Sequence, residues 1–133
     1  MSAHRAIRRA ELLLPGTPAA AGDDRRWLLI LKIGEYIESD PEEVWQFVRR
    51  WGTHRQRDFR DAIACCLLEH LLEHHFDLLF PRVKEAAMKN KLFADTFTRC
   101  WKLGQAESSE NSKKFDSLLA KCQKRNRRTT RTE

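Results

Sequence analysis

The sequence has few residues that interrupt helices and no long apolar run. Its 133 residues include only five glycines and four prolines. β-Branched residues are scarce, so composition favours helix throughout. No apolar stretch approaches the roughly 18 residues that a membrane span needs, and the three leucines at positions 12–14 are too few for a signal-peptide core. We therefore expect a soluble cytoplasmic protein that does not engage a membrane.

The motifs of common enzyme chemistry are also missing. There is no glycine-rich phosphate loop and no nucleophile elbow. The four cysteines form no Cys-x-x-Cys pair, and the adjacent Cys65 and Cys66 diverge on a helix, which is poor disulfide geometry. This pattern indicates a reducing compartment and thiols that pack in the core. We expect no cofactor and identify no small-molecule substrate.

The positive charge of the chain is concentrated at its ends. The formal net charge is +6. Residues 111–133 hold eight Lys and Arg against two acidic residues, whereas residues 23–110 hold fourteen basic and sixteen acidic residues. Any electrostatic argument for an anionic partner therefore concerns the ends rather than the body.

Helix start and stop signals divide the chain into short helices. The clearest is Asp40 as an N-cap, Pro41 at the first helical position and Gly52 beyond the end. We predict an all-α protein of five to seven short antiparallel helices. The predicted segments are an appendage and linker at 1–22, a helical core at 23–104, a linker at 105–112, an amphipathic helix at 113–124 and a disordered basic tail at 125–133.

One helix carries His70, Glu73 and His74 in the His-x-x-Glu-His spacing of inverted zinc peptidases. At about 100° per residue, the helix has an apolar and a polar face. The apolar face holds Ala64, Cys65, Leu68, Leu71, Leu72, His75, Phe76 and Leu79. The polar face holds Cys66, Glu69, His70, Glu73, His74 and Asp77. The candidate metal ligands His70 and His74 thus lie on the face that the leucines turn towards water.

A catalytic zinc site also needs a third protein ligand and a sheltered open position. The Leu-Leu-Glu-His sequence occurs twice in succession, so a four-residue amphipathic rhythm accounts for the histidine spacing. We interpret the histidines as a solvated surface, with a metal-dependent hydrolase as the weakest alternative. His75, on the apolar face, is expected to be buried with a hydrogen-bond partner.

Arginines cluster around the turn after the Asp40 helix. Four of them and one tryptophan are candidate partner-binding residues, namely Arg49, Arg50, Trp51, Arg55 and Arg57, with Arg60 in the same cluster. Aromatic and arginine side chains at a surface turn are typical anchors of protein interfaces. Ion pairing with nearby acidic residues is the alternative. Trp27, Trp45, Trp51 and Trp101 all fall within helical stripes, as core aromatics do.

The C-terminal run is the candidate nucleic-acid contact. It consists of Lys121, Lys124, Arg125, Arg127, Arg128 and Arg131, which lie within eleven residues. Such charges supply salt-sensitive affinity for phosphate that does not depend on sequence. No aromatic interleaves them, so base stacking is not indicated. A solubilising tail and a bridge to an acidic protein are equally permitted.

Residues 28–103 resemble a family of small, uncharacterised bacterial helical proteins related to HEAT-like repeats. The matching pieces are DPEEVWQFV (40–48), ACCLLEHLLEH (64–74), which contains the Leu-Glu-x-Leu-Leu motif at 68–72, VKEAA (83–87) and LFADTFTRCW (92–101). The resemblance implies a small HEAT-like stack or bundle, and a helix break near His75 where periodicity alone would continue to Leu79. It implies no catalytic residues.

These observations rank three functions. The first is a non-enzymatic helical interaction module that binds a protein partner, as a subunit, regulator or immunity-type protein. The second is a nucleic-acid-associated accessory protein that uses its basic C-terminal end. The third is a metal-dependent hydrolase centred on His70, Glu73 and His74.

Overall fold

The computed structural model describes residues 2–16 and 25–132, with the side chains of 2–15 and 26–127. Within those ranges the chain is helical and forms no strand, which confirms the all-α prediction. The helices are α1 (Ala3–Leu13), α2 (Arg25–Gly34), α3 (Pro41–Trp51), α4 (Arg57–Ile63), α5 (Glu69–His74), α6 (Phe76–Lys89), α7 (Lys91–Thr98) and α8 (Ser109–Thr132). None of these described helices is long and apolar enough to cross a membrane.

Local signals place α3 as the sequence predicts. Pro41 is its first residue, Asp40 its N-cap and Gly52 its C-cap, although the Asp40 side chain makes no capping hydrogen bond. Gly52 has an ordinary helical φ of −67°, so a left-handed conformation is not the reason for the glycine. A Cβ there would lie 2.9 Å from the Phe93 ring, so α3 and α7 meet too closely for any other residue.

Helix α1 packs on the body, where the sequence predicted an appendage. Its face formed by Ala6, Ile7 and Ala10, together with Leu14, belongs to the hydrophobic core. The helix contacts α2 and α3. Small residues at positions 6 and 10 allow this close approach, because they bury well while adding little bulk. The predicted connector at 17–22 lies outside the described residues.

A π-helical turn joins α4 to α5 over Ala64–Leu68. A π turn holds more residues per turn than an α-helix, so side chains within it and directly after it are rotated relative to an ideal wheel. Two predicted placements are therefore wrong. Cys65 is only half-buried, and Glu69, which the wheel put on the polar face, is buried. Leu67, Leu68, Leu71 and Leu72 are fully buried, which makes this helix the centre of the fold.

The central helix ends at His74, as the family resemblance implies and periodicity alone does not. Helix α6 starts one residue later and includes Pro81 in its interior. Gln105 holds the break together, because its amide accepts from the Phe76 N–H (2.9 Å) and donates to the His74 carbonyl (2.8 Å). His75 is half-buried and its Nε2 lies 3.0 Å from the Ile37 carbonyl, so it has the expected partner.

The last segments differ from their predicted bounds. Helix α7 ends at Thr98, and Gly104 instead begins a 3-10 turn, Gly104–Glu107, with φ of +50°. The predicted linker 105–112 packs against the body through Ala106, which is 1% exposed. Helix α8 then starts at Ser109 and extends to Thr132, and the side chains of the predicted disordered tail lie outside the described residues from position 128 onward.

Candidate functional site

The histidine face of α5 borders a groove between α2 and the central helix. The groove is open to solvent and has a volume of about 500 Å³, and its lining includes Glu35, Glu38, Cys66, His70 and His74. The side chains of His70 and His74 are 38% and 40% exposed. Both imidazoles therefore lie at the surface and are not enclosed in a cleft.

Glu73 joins the two imidazoles. Its Oε1 lies 2.9 Å from Nδ1 of His70 and 3.4 Å from Nε2 of His74, whose other ring nitrogen lies 3.4 Å from Glu38. A zinc site needs ring nitrogens that face one ion together with a third ligand. Across the described ranges, no three His, Cys, Asp or Glu side chains are arranged to hold a metal ion. The geometry favours the solvated interpretation of this face.

The cysteines of the central helix are not set up as nucleophiles. Burial raises the pKa of the Cys66 thiol to about 11 and also raises the pKa of Cys65. A reactive cysteine needs the opposite shift, produced by a nearby positive charge or helix N-terminus. Cys100 and Cys122 are buried free thiols. All four side chains therefore act as small apolar groups.

The predicted partner-binding arginines lie on α3, on α4 and in the loop between them, and they have different neighbours. Arg49 lines a groove that α3 forms with α6. Arg50 forms an ion pair with Glu11 of α1. Arg55 in the loop and Arg57 at the first position of α4 are exposed. Arg55 and Arg57 are thus the predicted arginines that remain exposed where the loop meets α4.

Trp51 packs within an aromatic cluster under this loop. Its ring lies 6.0 Å from Phe47, 5.9 Å from His54 and 5.6 Å from Phe59, measured between centroids. The residue is half-buried, and its buried Nε1 has no hydrogen-bond partner among the described residues. Burial, reinforced by nearby arginines, lowers the pKa of His54. The cluster therefore supports the loop from below.

Arg60, grouped in the sequence with the exposed arginines, is 7% exposed and fixes the loop instead. Its Nη1 donates to the carbonyls of His54 (2.8 Å) and Arg55 (2.9 Å). Its Nη2 forms an ion pair with Asp95 at 2.8 Å, and Arg99 contacts the same carboxylate. Burial opposes ionisation of Asp95, but the hydrogen bonds from both arginines lower its pKa overall. Removal of Arg60 would leave loop carbonyls without their donor.

The candidate nucleic-acid residues are not equivalent in the structure. Arg125 donates to the carbonyls of Ala87 (2.9 Å) and Met88 (2.8 Å) and so caps the C-terminal end of α6. The remaining described members are exposed, namely Lys121, Lys124 and Arg127. The side chains of Arg128 and Arg131 lie outside the described part of the chain. The structure thus gives Arg125 a structural role in helix packing.

Two surface features have no clear sequence signal. Trp101, expected in the core, is 73% exposed, while its backbone N–H donates to the buried Glu69 carboxylate (2.8 Å). Burial raises the pKa of Glu69 despite that bond. The second feature is a lysine-rich groove formed by α6 and α8. Both depend on contacts between segments that are distant in sequence, which periodicity cannot reveal.

Comparison with known proteins identifies no relative. No protein-family model matches the chain, and neither a curated protein nor a solved structure matches it. The resemblance to proteins related to HEAT-like repeats therefore remains a prediction from the residues that carry it.

Proposed function

We propose that the chain is a non-enzymatic helical interaction module that binds a protein partner through the loop between α3 and α4. The observation that carries the proposal is the way in which the loop is held. Arg60 binds its carbonyls from inside, and an aromatic cluster supports it, while Arg55 and Arg57 remain exposed.

A rigid loop is suited to binding because less conformational freedom is lost when the partner docks. Arginine is enriched among the residues that dominate binding energy, and its planar guanidinium forms paired hydrogen bonds with carboxylates. The half-buried Trp51 supports the surface, and Arg49 and Arg50 extend it along the end of α3. A role as a subunit or regulator, a relationship to HEAT-like repeats and a cytoplasmic location complete the proposal.

The experiment compares partner recovery by three versions of the full chain. The test variant is Arg55→Glu/Arg57→Glu. The control is Lys32→Glu/Lys91→Glu, which changes the formal charge by the same amount at exposed lysines elsewhere. The proposal predicts that a partner recovered from native host extract with the wild type and the control is lost with the test variant. Equal recovery with all three proteins would refute the assignment to this loop.

A second candidate function is nucleic-acid association through the basic end of α8. It is supported by Lys121, Lys124 and Arg127, which are exposed on a helical backbone. Truncation at residue 121 is a poor test of this function. It would also remove Cys122 from the core and the hydrogen bond from Arg125 that caps the C-terminal end of α6. Lys124→Gln/Arg127→Gln is preferable, and it should reduce the salt dependence of oligonucleotide binding if phosphates are contacted.

A metal-dependent hydrolase is the least supported function, since Glu73 contacts both histidines. Purified protein is expected to carry less than about one-tenth of an equivalent of zinc, measured by elemental analysis. Stoichiometric zinc that is lost in His70→Ala/His74→Ala would reverse this ranking.

A further inference from the structure

Helices α6 and α8 form a groove of about 470 Å³ on a surface separate from the arginine loop. Its apolar part consists of Phe80 and Pro81 from α6 and Leu118 from α8. Phe80 and Leu118 are almost buried, whereas Pro81 is exposed. The hydrocarbon stems of the flanking lysines add further apolar surface, as long basic side chains commonly do.

Among the described residues that line this groove, four are lysines and none is acidic. Among the described side chains, Lys84, Lys113 and Lys121 have no carboxylate within ion-pair distance, and Lys114 only reaches Glu110 at 3.8 Å. A concave surface with one sign of charge focuses the electrostatic potential and raises the local concentration of oppositely charged ligands. The ligand that complements this groove is therefore acidic.

The apolar surface and the shape favour a peptide over a nucleic acid. Phe80 is the one aromatic residue among the described lining residues, and its 6% exposure is too small for a base to stack on the ring. The cations in the groove are all lysines, which lack the paired donors that arginine presents to phosphate. A groove between two helices instead fits the apolar stripe of a third helix, a common mode of peptide recognition.

We propose that the groove between α6 and α8 binds an acidic amphipathic helix of a partner protein. Its apolar side chains lie on Pro81 and on the lysine stems, above the nearly buried Phe80 and Leu118, and its carboxylates face the surrounding lysines. This surface is independent of the loop between α3 and α4, so each can be tested without the other.

The test uses a fluorescently labelled synthetic peptide of about 15 residues, enough for four helical turns. Leucines occupy one face and glutamates the others. A matched peptide has glutamine in place of glutamate, and a single-stranded oligothymidylate of similar length is the nucleic-acid probe. Fluorescence anisotropy measures binding to the wild type, to Lys84→Glu/Lys121→Glu and to the control Lys32→Glu/Lys91→Glu. Circular dichroism establishes that each variant is folded.

The proposal predicts saturable binding of the acidic peptide that weakens about tenfold or more in Lys84→Glu/Lys121→Glu and less than about twofold in the control. The glutamine peptide should bind at least about tenfold more weakly than the acidic peptide. Four results would overturn it. They are no binding of the acidic peptide, equal binding of the glutamine peptide, equal weakening in both variants, and tighter binding of the oligothymidylate than of the peptide.

Discussion

Replacement of Arg60 by methionine should destabilise the protein and loosen the proposed binding loop. Methionine keeps the length of the side chain but removes the ion pair with Asp95 and the donors to the loop carbonyls. Removal of one partner of a buried ion pair costs about 3–5 kcal/mol. Asp95 is 24% exposed and keeps its contact with Arg99. We therefore expect a loss of about 2–3 kcal/mol in the free energy of unfolding.

Urea denaturation followed by far-UV circular dichroism measures this loss. The control is Arg57→Met, three residues earlier and exposed, which should change stability by no more than about 0.5 kcal/mol. The pKa of Asp95 is lowered in the folded protein, so its contribution is present above its unfolded pKa and is lost as pH falls through the folded pKa. The difference between wild type and Arg60→Met should accordingly shrink below about pH 4. A difference no larger than that of Arg57→Met at neutral pH would refute the reasoning.

Three further predictions concern single groups. Burial raises the pKa of the Cys66 thiol to about 11. In the folded protein this thiol should therefore react with iodoacetamide about a hundredfold more slowly than free cysteine does, and mass spectrometry measures the rate of alkylation. Gly104→Ala should cost about 1–2 kcal/mol in thermal unfolding, because φ is +50° and the new Cβ would lie 2.6 Å from Glu73 Cγ. Burial raises the pKa of Glu69, so ionisation costs stability as pH rises through that pKa. Glu69→Gln should therefore gain stability relative to wild type between about pH 4 and pH 7 in parallel urea titrations, and no gain would contradict that direction.

The parts of the fold that could be predicted are those set by neighbouring residues. Pro41 and Gly52 bound α3, and its buried stripe of Val44, Trp45 and Val48 follows the helical period. The sequence also predicts the position of the histidine helix. It does not predict the π-helical turn, because no residue type marks such a turn and it depends on helices packed around the centre. That single turn explains why Glu69 is buried against the prediction.

The candidate sites were less predictable, because they depend on long-range contacts. In the sequence, Arg60 is one more arginine near a basic loop. Only the fold brings it within hydrogen-bond distance of Asp95, which lies 35 residues later. In the sequence, Arg125 belongs to a basic run. In the structure, carbonyls at the end of α6 accept its hydrogen bonds. The lysine groove brings Lys84 close to residues that lie 29 to 37 positions later in the chain. Charge counts along a sequence contain none of these pairings.

The most direct test of the interaction module is the affinity of a purified partner for the loop between α3 and α4. Titration calorimetry would compare the wild type with Arg55→Glu/Arg57→Glu and with Lys32→Glu/Lys91→Glu. We predict that the loop variant weakens the partner's binding by about tenfold or more while the control stays within about twofold. An affinity that is the same for all three proteins would contradict the assignment of partner binding to this loop.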